Sequence, residues 1–249
     1  MRRRGLLKKR EKLNKGAKIF MNDPEIIYER IQNAKAKANR QDKIFFVAVS
    51  KNHTVEEMKE AEKISWIDFF GENRVQEAES KKILYGTEKK IPWRLIGHLQ
   101  ANKARKAVEL FDFIDSVDSS ELAMRLGRIA GELNKTLPVL IEINTSGEAS
   151  KTGADPKNFS GIIDSVMNEK NLRLEGFMTV GPITESEKEI RKAFELLRSI
   201  RDSSRKITGL DLNILSMGMS DDFELAILEG STMIRIGTLL FGARDYSRH

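Results

Sequence analysis

Apolar and polar positions along this 249-residue chain trade between two periods. After Pro24, Ile26, Ile27, Ile31 and Ala34 recur at the spacing of one helical face. Lys43–Ser50 (KIFFVAVS) is then an almost unbroken apolar run rich in valine and phenylalanine, which suits a strand buried on both faces. From there the patterns alternate. Strands are predicted at Lys43–Ser50, Ile67–Gly71, Trp93–His98, Phe113–Val117, Pro138–Asn144, Leu174–Val180, Leu212–Met217 and Met233–Phe241. Helices are predicted at Val55–Ile64, Asn73–Tyr85, Asn102–Leu110, Ser119–Asn134, Pro156–Glu169, Glu185–Lys206 and Asp221–Glu229. Asp23 and Ser119 or Ser120 are N-cap candidates, and Pro24 suits a first helical position.

Alternation of this kind calls for a parallel sheet, so the class is α/β. Eight strands, each but the last followed by a helix, match a single (β/α)8 TIM barrel with a leading N-terminal helix, a fold that typically needs about 250 residues. An open doubly wound sheet is the alternative. The barrel fits better because polar residues gather at the predicted strand ends: Ser50-Lys51, Glu72-Asn73, His98, Asp118, Asn144, Thr179, Ser216 and Thr238. In barrel enzymes the C-terminal ends of strands carry the chemistry.

Charge divides the chain in two. Residues 1–20 carry +8 of the total +6, which leaves the remainder at −2. The basic character belongs to an extension, expected to be disordered, and the barrel is expected to occupy residues 21–249. The extension could touch RNA or an anionic membrane, but it lacks the apolar core of a signal peptide. No nucleic-acid or membrane contact is expected from the barrel itself. No apolar run is long enough to cross a bilayer. The absence of cysteine excludes disulfides, thiolate metal sites and a cysteine nucleophile, and suits a cytoplasmic protein. With only His53, His98 and the terminal His249, no metal site is expected.

Two residues stand out chemically. Lys51 directly follows an apolar strand. At a partly dry site its amine loses some preference for the charged form and can attack an aldehyde to form a Schiff base; a solvated loop lysine is the alternative. Arg235 lies between Ile234 and Ile236, and a charge in an apolar strand is costly unless paired. It either forms an ion pair with a strand-end carboxylate such as Glu142 or Glu72, or meets a ligand. Ser216, Gly237 and Thr238 lie where barrels often bind phosphate, after strands seven and eight. Asp221 and Asp222 would oppose an anion at the neighbouring helix and read better as capping and dipole-pairing residues.

The segments VAVSK (47–51), GEN (71–73), IGHLQ (96–100), LSMGMSDDFELAI (215–227) and GSTMIRIGTLLFGARDY (230–246) strongly resemble the pyridoxal phosphate homeostasis protein family, relatives of the N-terminal barrel of alanine racemase. The resemblance runs from about residue 22 to 246. It implies a barrel that binds pyridoxal 5′-phosphate (PLP). Lys51 matches the lysine that carries the cofactor as a Schiff base, and Arg235 the arginine facing the pyridine nitrogen. Ser216, Gly237 and Thr238 match the phosphate-binding positions, and Asn73 a residue beside the cofactor. Lys151, in the loop 144–153, matches a second lysine linked with cofactor traffic. Asn52-His53 departs from the Thr-Lys that often follows the Schiff-base lysine, and residues 1–20 have no counterpart.

This resemblance implies a carrier or buffer in vitamin B6 homeostasis that holds PLP and hands it to apo PLP-dependent enzymes. An arginine cannot accept the proton that would keep the ring nitrogen charged, so the electron sink is weak. Racemisation would also need a second acid/base, which resembles a tyrosine from an additional domain in alanine racemases. The chain stops at His249, and none of Tyr28, Tyr85 and Tyr246 has a clear claim to that role. A weak amino-acid racemase is the enzymatic alternative, and an RNA or membrane adaptor using the extension is the third class. A monomer is expected.

Overall fold

The computed structural model describes residues 23–86 and 91–242; the basic extension and the expectation of disorder there lie outside the described residues, as does Tyr246. The described chain opens with helix α1 (Pro24–Lys37), where the Asp23 side chain accepts the Glu25 amide and Pro24 takes the first position. The strands are β1 (Phe45–Val49), β2 (Phe69–Glu72), β3 (Trp93–Leu95), β4 (Phe113–Val117), β5 (Leu137–Glu142), β6 (Leu172–Met178), β7 (Ile214–Ser216) and β8 (Met233–Ile236). The helices after them are α2 (Val55–Ala61), α3 (Val75–Tyr85), α4 (Ala104–Leu110), α5 (Ser120–Glu132), α6 (Ser160–Asn168), α7 (Glu187–Thr208), α8 (Phe223–Leu228) and α9 (Thr238–Phe241). Neighbouring strands pair in chain order, and β8 pairs back onto β1 with Phe45 opposite Met233 and Val47 opposite Arg235. This pairing closes the TIM barrel and excludes the open sheet.

Closure gives the strands two apolar environments. Val47, Val49, Leu140, Met178, Ile214 and Met233 form a small cluster inside the barrel, with Phe45, Phe69 and Ile96 against it. Their alternate neighbours Phe46, Ala48, Phe70, Ile141, Phe177, Leu215 and Ile234 belong to the larger core between barrel and helices. Residues two apart on a strand share a face. Ser216 therefore shares the inward face of Ile214, and Arg235 that of Met233, while Lys51, Asn73 and Gly237 come just after the ends of β1, β2 and β8.

Two irregularities adjust that alternation. In β6, Val139 pairs with Leu174 but Leu140 pairs with Gly176, so one extra residue is accommodated. Gly176 has φ +153°, and a Cβ there would lie 1.9 Å from the Ile214 carbonyl oxygen. The glycine bulge turns Met178 inward. In β4, Ile114 pairs with Val139 and Val117 with Ile141, which directs both Asp115 and Asp118 toward the barrel axis.

The element order matches the sequence pattern, but several bounds differ. The predicted strand Met233–Phe241 ends at Ile236; Gly237 breaks the extended backbone with φ −116° and ψ −80°, and Thr238–Phe241 forms a short helix, so the last strand is also followed by one. The predicted helix Pro156–Glu169 begins only at Ser160, because Asp155 accepts the Lys157 amide and holds a turn there. The predicted helix Asp221–Glu229 begins at Phe223. Ser119 is the cap of α5, accepting the Leu122 amide.

The barrel also buries an ion pair. Arg94 and Asp115 make two bonds, Nε–Oδ2 at 2.8 Å and Nη2–Oδ1 at 2.9 Å, and are 1% and 0% exposed. The guanidinium lies over the rings of Phe69 and Phe113, 4.7 and 4.0 Å from their centroids. Breaking one side of such a pair strands the other charge and costs about 3–5 kcal/mol. Asp115→Asn should lose stability of that order in urea unfolding, and Arg94→Met combined with Asp115→Leu should recover most of it. A single variant as stable as the parent would contradict the burial of this pair.

Candidate functional site

The C-terminal rim of the barrel gathers most of the singled-out residues. Lys51 is half-buried and comes one residue after Ser50, whose amide still bonds the Gly71 carbonyl at 3.0 Å. Lys51 lies four residues after Val47, the residue opposite Arg235, in the turn that follows the end of β1 at Val49. Asn73 follows β2 on the same rim, and its backbone abuts Gly97, where a Cβ would come within 2.4 Å of the Asn73 carbonyl oxygen.

Arg235 is 4% exposed. Neither carboxylate named from the sequence forms an ion pair with it. Its Nη1 donates to Ser216 Oγ at 2.8 Å and its Nη2 to the Thr179 carbonyl at 2.8 Å. Glu72 projects outward to Lys81, whereas Glu142 accepts from the Thr152 hydroxyl at 2.8 Å. Burial pulls the guanidinium below its ordinary pKa, opposed at longer range by Asp115, Asp222 and Glu142. The side chain keeps its proton nonetheless. Two neutral oxygens, from the ends of β6 and β7, therefore hold a buried cation.

Ser216 is fully buried, and its hydroxyl, while accepting from Arg235, retains a proton to donate. Gly237 is half-buried and Thr238 exposed at the start of α9, which meets the preceding loop where Ser220 Oγ accepts the Leu239 amide at 3.2 Å. The capping role assigned to Asp222 needs correction: its Oδ1 accepts the Met219 amide at 2.6 Å and closes the loop, with no side-chain bond to a helix amide. Burial raises its pKa, partly countered by that bond and by Arg235.

Lys151 lies farther out. Its Nζ donates to Glu148 Oε1 and to the Gly181 carbonyl, each at 2.7 Å, and so ties the loop after β5 to the loop after β6. It lines a groove of about 890 Å³ with Arg30, Met219 and Asp222, beside the barrel mouth. Asn144 shapes the same loop by donating to the Glu148 carbonyl at 2.9 Å.

Sequence reasoning missed two features here. One is Lys81, buried on α3, which reaches Ser50, Glu72 and Glu77; only its place on the barrel-facing side of a helix hinted at this. The other is Glu142, named only as an ion-pair candidate. Its Oε2 is buried without a hydrogen-bond partner among the described residues, and burial pushes its pKa up. Among the described residues, no group of three or more His, Asp or Glu side chains is placed to hold a metal ion, and no helix is long and apolar enough to cross a membrane.

A raised carboxyl pKa stabilises the fold below the ordinary carboxylate range, and that contribution is lost as pH rises through the folded pKa. Glu142→Gln should therefore match the parent near pH 4 and exceed it in thermal stability above neutral pH. Parallel melting curves from pH 4 to 8 test this; a constant difference across the range would mean that Glu142 does not titrate with folding.

The model of the alanine racemase N-terminal domain family matches residues 23–245. The pyridoxal phosphate homeostasis protein of Pasteurella multocida is 38% identical over 226 residues, covering 89% of this chain and 96% of that protein. The protein of the same name from Pseudomonas aeruginosa is 39% identical over 222 residues, covering 87% and 92%. Among solved structures, PipY of Synechococcus elongatus with PLP bound is 37% identical with a TM-score of 0.76, covering 86% of this chain and 99% of that one. Alanine racemase of Clostridium difficile shares the fold at 18% identity and a TM-score of 0.69, with 58% of its chain covered.

Proposed function

This chain belongs to the alanine racemase N-terminal domain family and, within it, to the pyridoxal phosphate homeostasis proteins, and on that premise we propose that it binds PLP at the barrel rim and carries or buffers it. The residues present fit such a group. An amine, a permanent cation and hydroxyl residues meet at one rim, and Glu142 keeps a buried oxygen that a bound polar group can satisfy. The observation that supports the reading is that β1, which Lys51 follows by two residues, pairs with the strand bearing Arg235, with Val47 opposite Arg235.

PLP, when bound, supplies an aldehyde that condenses with an amine and a ring that draws electrons. We assign Lys51 to the aldehyde as its Schiff-base partner. Arg235 is assigned to the ring nitrogen, with Ser216 and Thr179 holding the guanidinium in place. Thr238, the Ser216 hydroxyl and the backbone at Gly237 are assigned to the phosphate, Asn73 to the ring's flank, and Lys151 to cofactor traffic at the outer loop. A cation at the ring nitrogen disfavours its protonation and weakens the sink, so retention is favoured over turnover. This supports a carrier that gives PLP to apo-enzymes; our reading places it in the cytoplasm as a monomer, and the absence of cysteine is in keeping with that compartment.

Borohydride reduction of the PLP-loaded protein followed by peptide mapping tests the assignment. The pyridoxyl mass should fall on Lys51 and disappear in Lys51→Ala; an adduct spread over surface lysines would refute it. Arg235→Glu should shift the visible absorption of the loaded protein, because a carboxylate lets the ring nitrogen keep a proton. An unchanged spectrum together with unchanged affinity would remove Arg235 from the ring.

A further inference from the structure

Behind the barrel wall, beneath Lys51, Lys81 of α3 is 7% exposed and has three ammonium hydrogens. Its Nζ reaches three acceptors: the Ser50 carbonyl at 2.6 Å, Glu72 Oε1 at 2.8 Å and Glu77 Oε1 at 2.7 Å. Glu72 Oε1 also accepts from the Ser50 hydroxyl at 2.7 Å. Glu77 Oε1 also accepts from the Asn52 amide. The network thus grips both peptide groups that flank Lys51, the carbonyl before it and the amide after it. It does so around a demanding backbone, since Asn52 sits at φ +62°, in the left-handed region that asparagine tolerates better than most residues. Fixing two consecutive peptide planes fixes the Cα–Cβ direction of the residue between them.

We propose that Lys81, Glu72 and Glu77 are positioning residues for Lys51, a buried clamp that aims its side chain into the barrel mouth. None of them touches the ligand; they act through the backbone on either side of Lys51. The proposal rests on the PLP reading above. It explains why a lysine and two glutamates share so small a volume on a face with no other described task. A free surface turn would leave the Lys51 amine to sample many directions, and a covalent partner must be met from one.

The test compares the parent with Glu77→Ala, Glu77→Gln and Lys81→Met. Each is followed by melting temperature, PLP affinity, the pH dependence of the visible absorption, and the fraction of reduced adduct mapped to Lys51. The glutamine can still accept from the Asn52 amide, whereas the alanine cannot. Losing one such bond should weaken PLP binding about 3- to 10-fold in Glu77→Ala, and Glu77→Gln should lie within about twofold of the parent. The pH midpoint of the visible band should shift in Glu77→Ala and Lys81→Met, which a general loss of stability would not produce. If the parent takes no adduct at Lys51, the PLP reading itself fails. If the parent loads at Lys51 and folded Glu77→Ala and Lys81→Met load with the same affinity and pH midpoint, the clamp is refuted. Should the variants not fold, hydrogen exchange of the parent decides: an Asn52 amide protected like the strand amides supports the clamp, and one exchanging at loop rates overturns it.

Discussion

Strand closure is the constraint on which everything else in this molecule rests. Once β8 pairs with β1, every strand residue faces either the barrel axis or the surrounding helices, and the pleat allows no third direction. The inside is narrow, so it accepts a small apolar plug with a few polar groups above and below it. Arg94 and Asp115 neutralise each other inside the barrel. Arg235 and Glu142 are buried there as well. Packing gives way to chemistry where the strands end, and the backbone leaves the extended form there at Asn52 and Gly237.

The two buried arginines show two ways of keeping a charge in a dry place. Arg94 has a bidentate carboxylate and two aromatic faces, and its needs are met within the fold. Among the described residues, Arg235 has a hydroxyl and a carbonyl as direct partners, with the carboxylates of Asp115, Asp222 and Glu142 acting from farther away. A cation without a directly bonded anion keeps a strong field in a low-dielectric pocket. That field is what the proposed contact with an electron-rich ring atom would draw on.

Much of this was legible in the sequence. The alternation of apolar runs and helical spacing gave the element order and the barrel, because burial on both strand faces leaves a strong signature in KIFFVAVS and MIRI. The rim residues followed from their places at strand ends. What stayed hidden depends on contacts between distant segments. Lys81 sits on a helix among many lysines, and only its spacing from Val75, Ala78 and Tyr85 on the buried face hints that it is not solvated. The partners of Arg235 come from the ends of β6 and β7, so the sequence suggested carboxylates where the fold supplies a hydroxyl and a carbonyl. The early end of β8 reflects Gly237, whose backbone leaves the strand while Leu239, Leu240 and Phe241 continue the apolar run into a helix.

The seam between β1 and β8 joins the first strand of the barrel to the last, and across it His53 stacks on Phe241 with ring centroids 4.8 Å apart. Contacts so distant in sequence form late when a chain emerges from its N-terminal end. Lys51 is synthesised early, yet its pocket does not exist until the final strand arrives. Possession of a complete site is therefore a certificate of a finished ring. A reactive aldehyde would meet an organised pocket only in molecules whose barrel has closed, and partly made chains would offer no more than another surface amine.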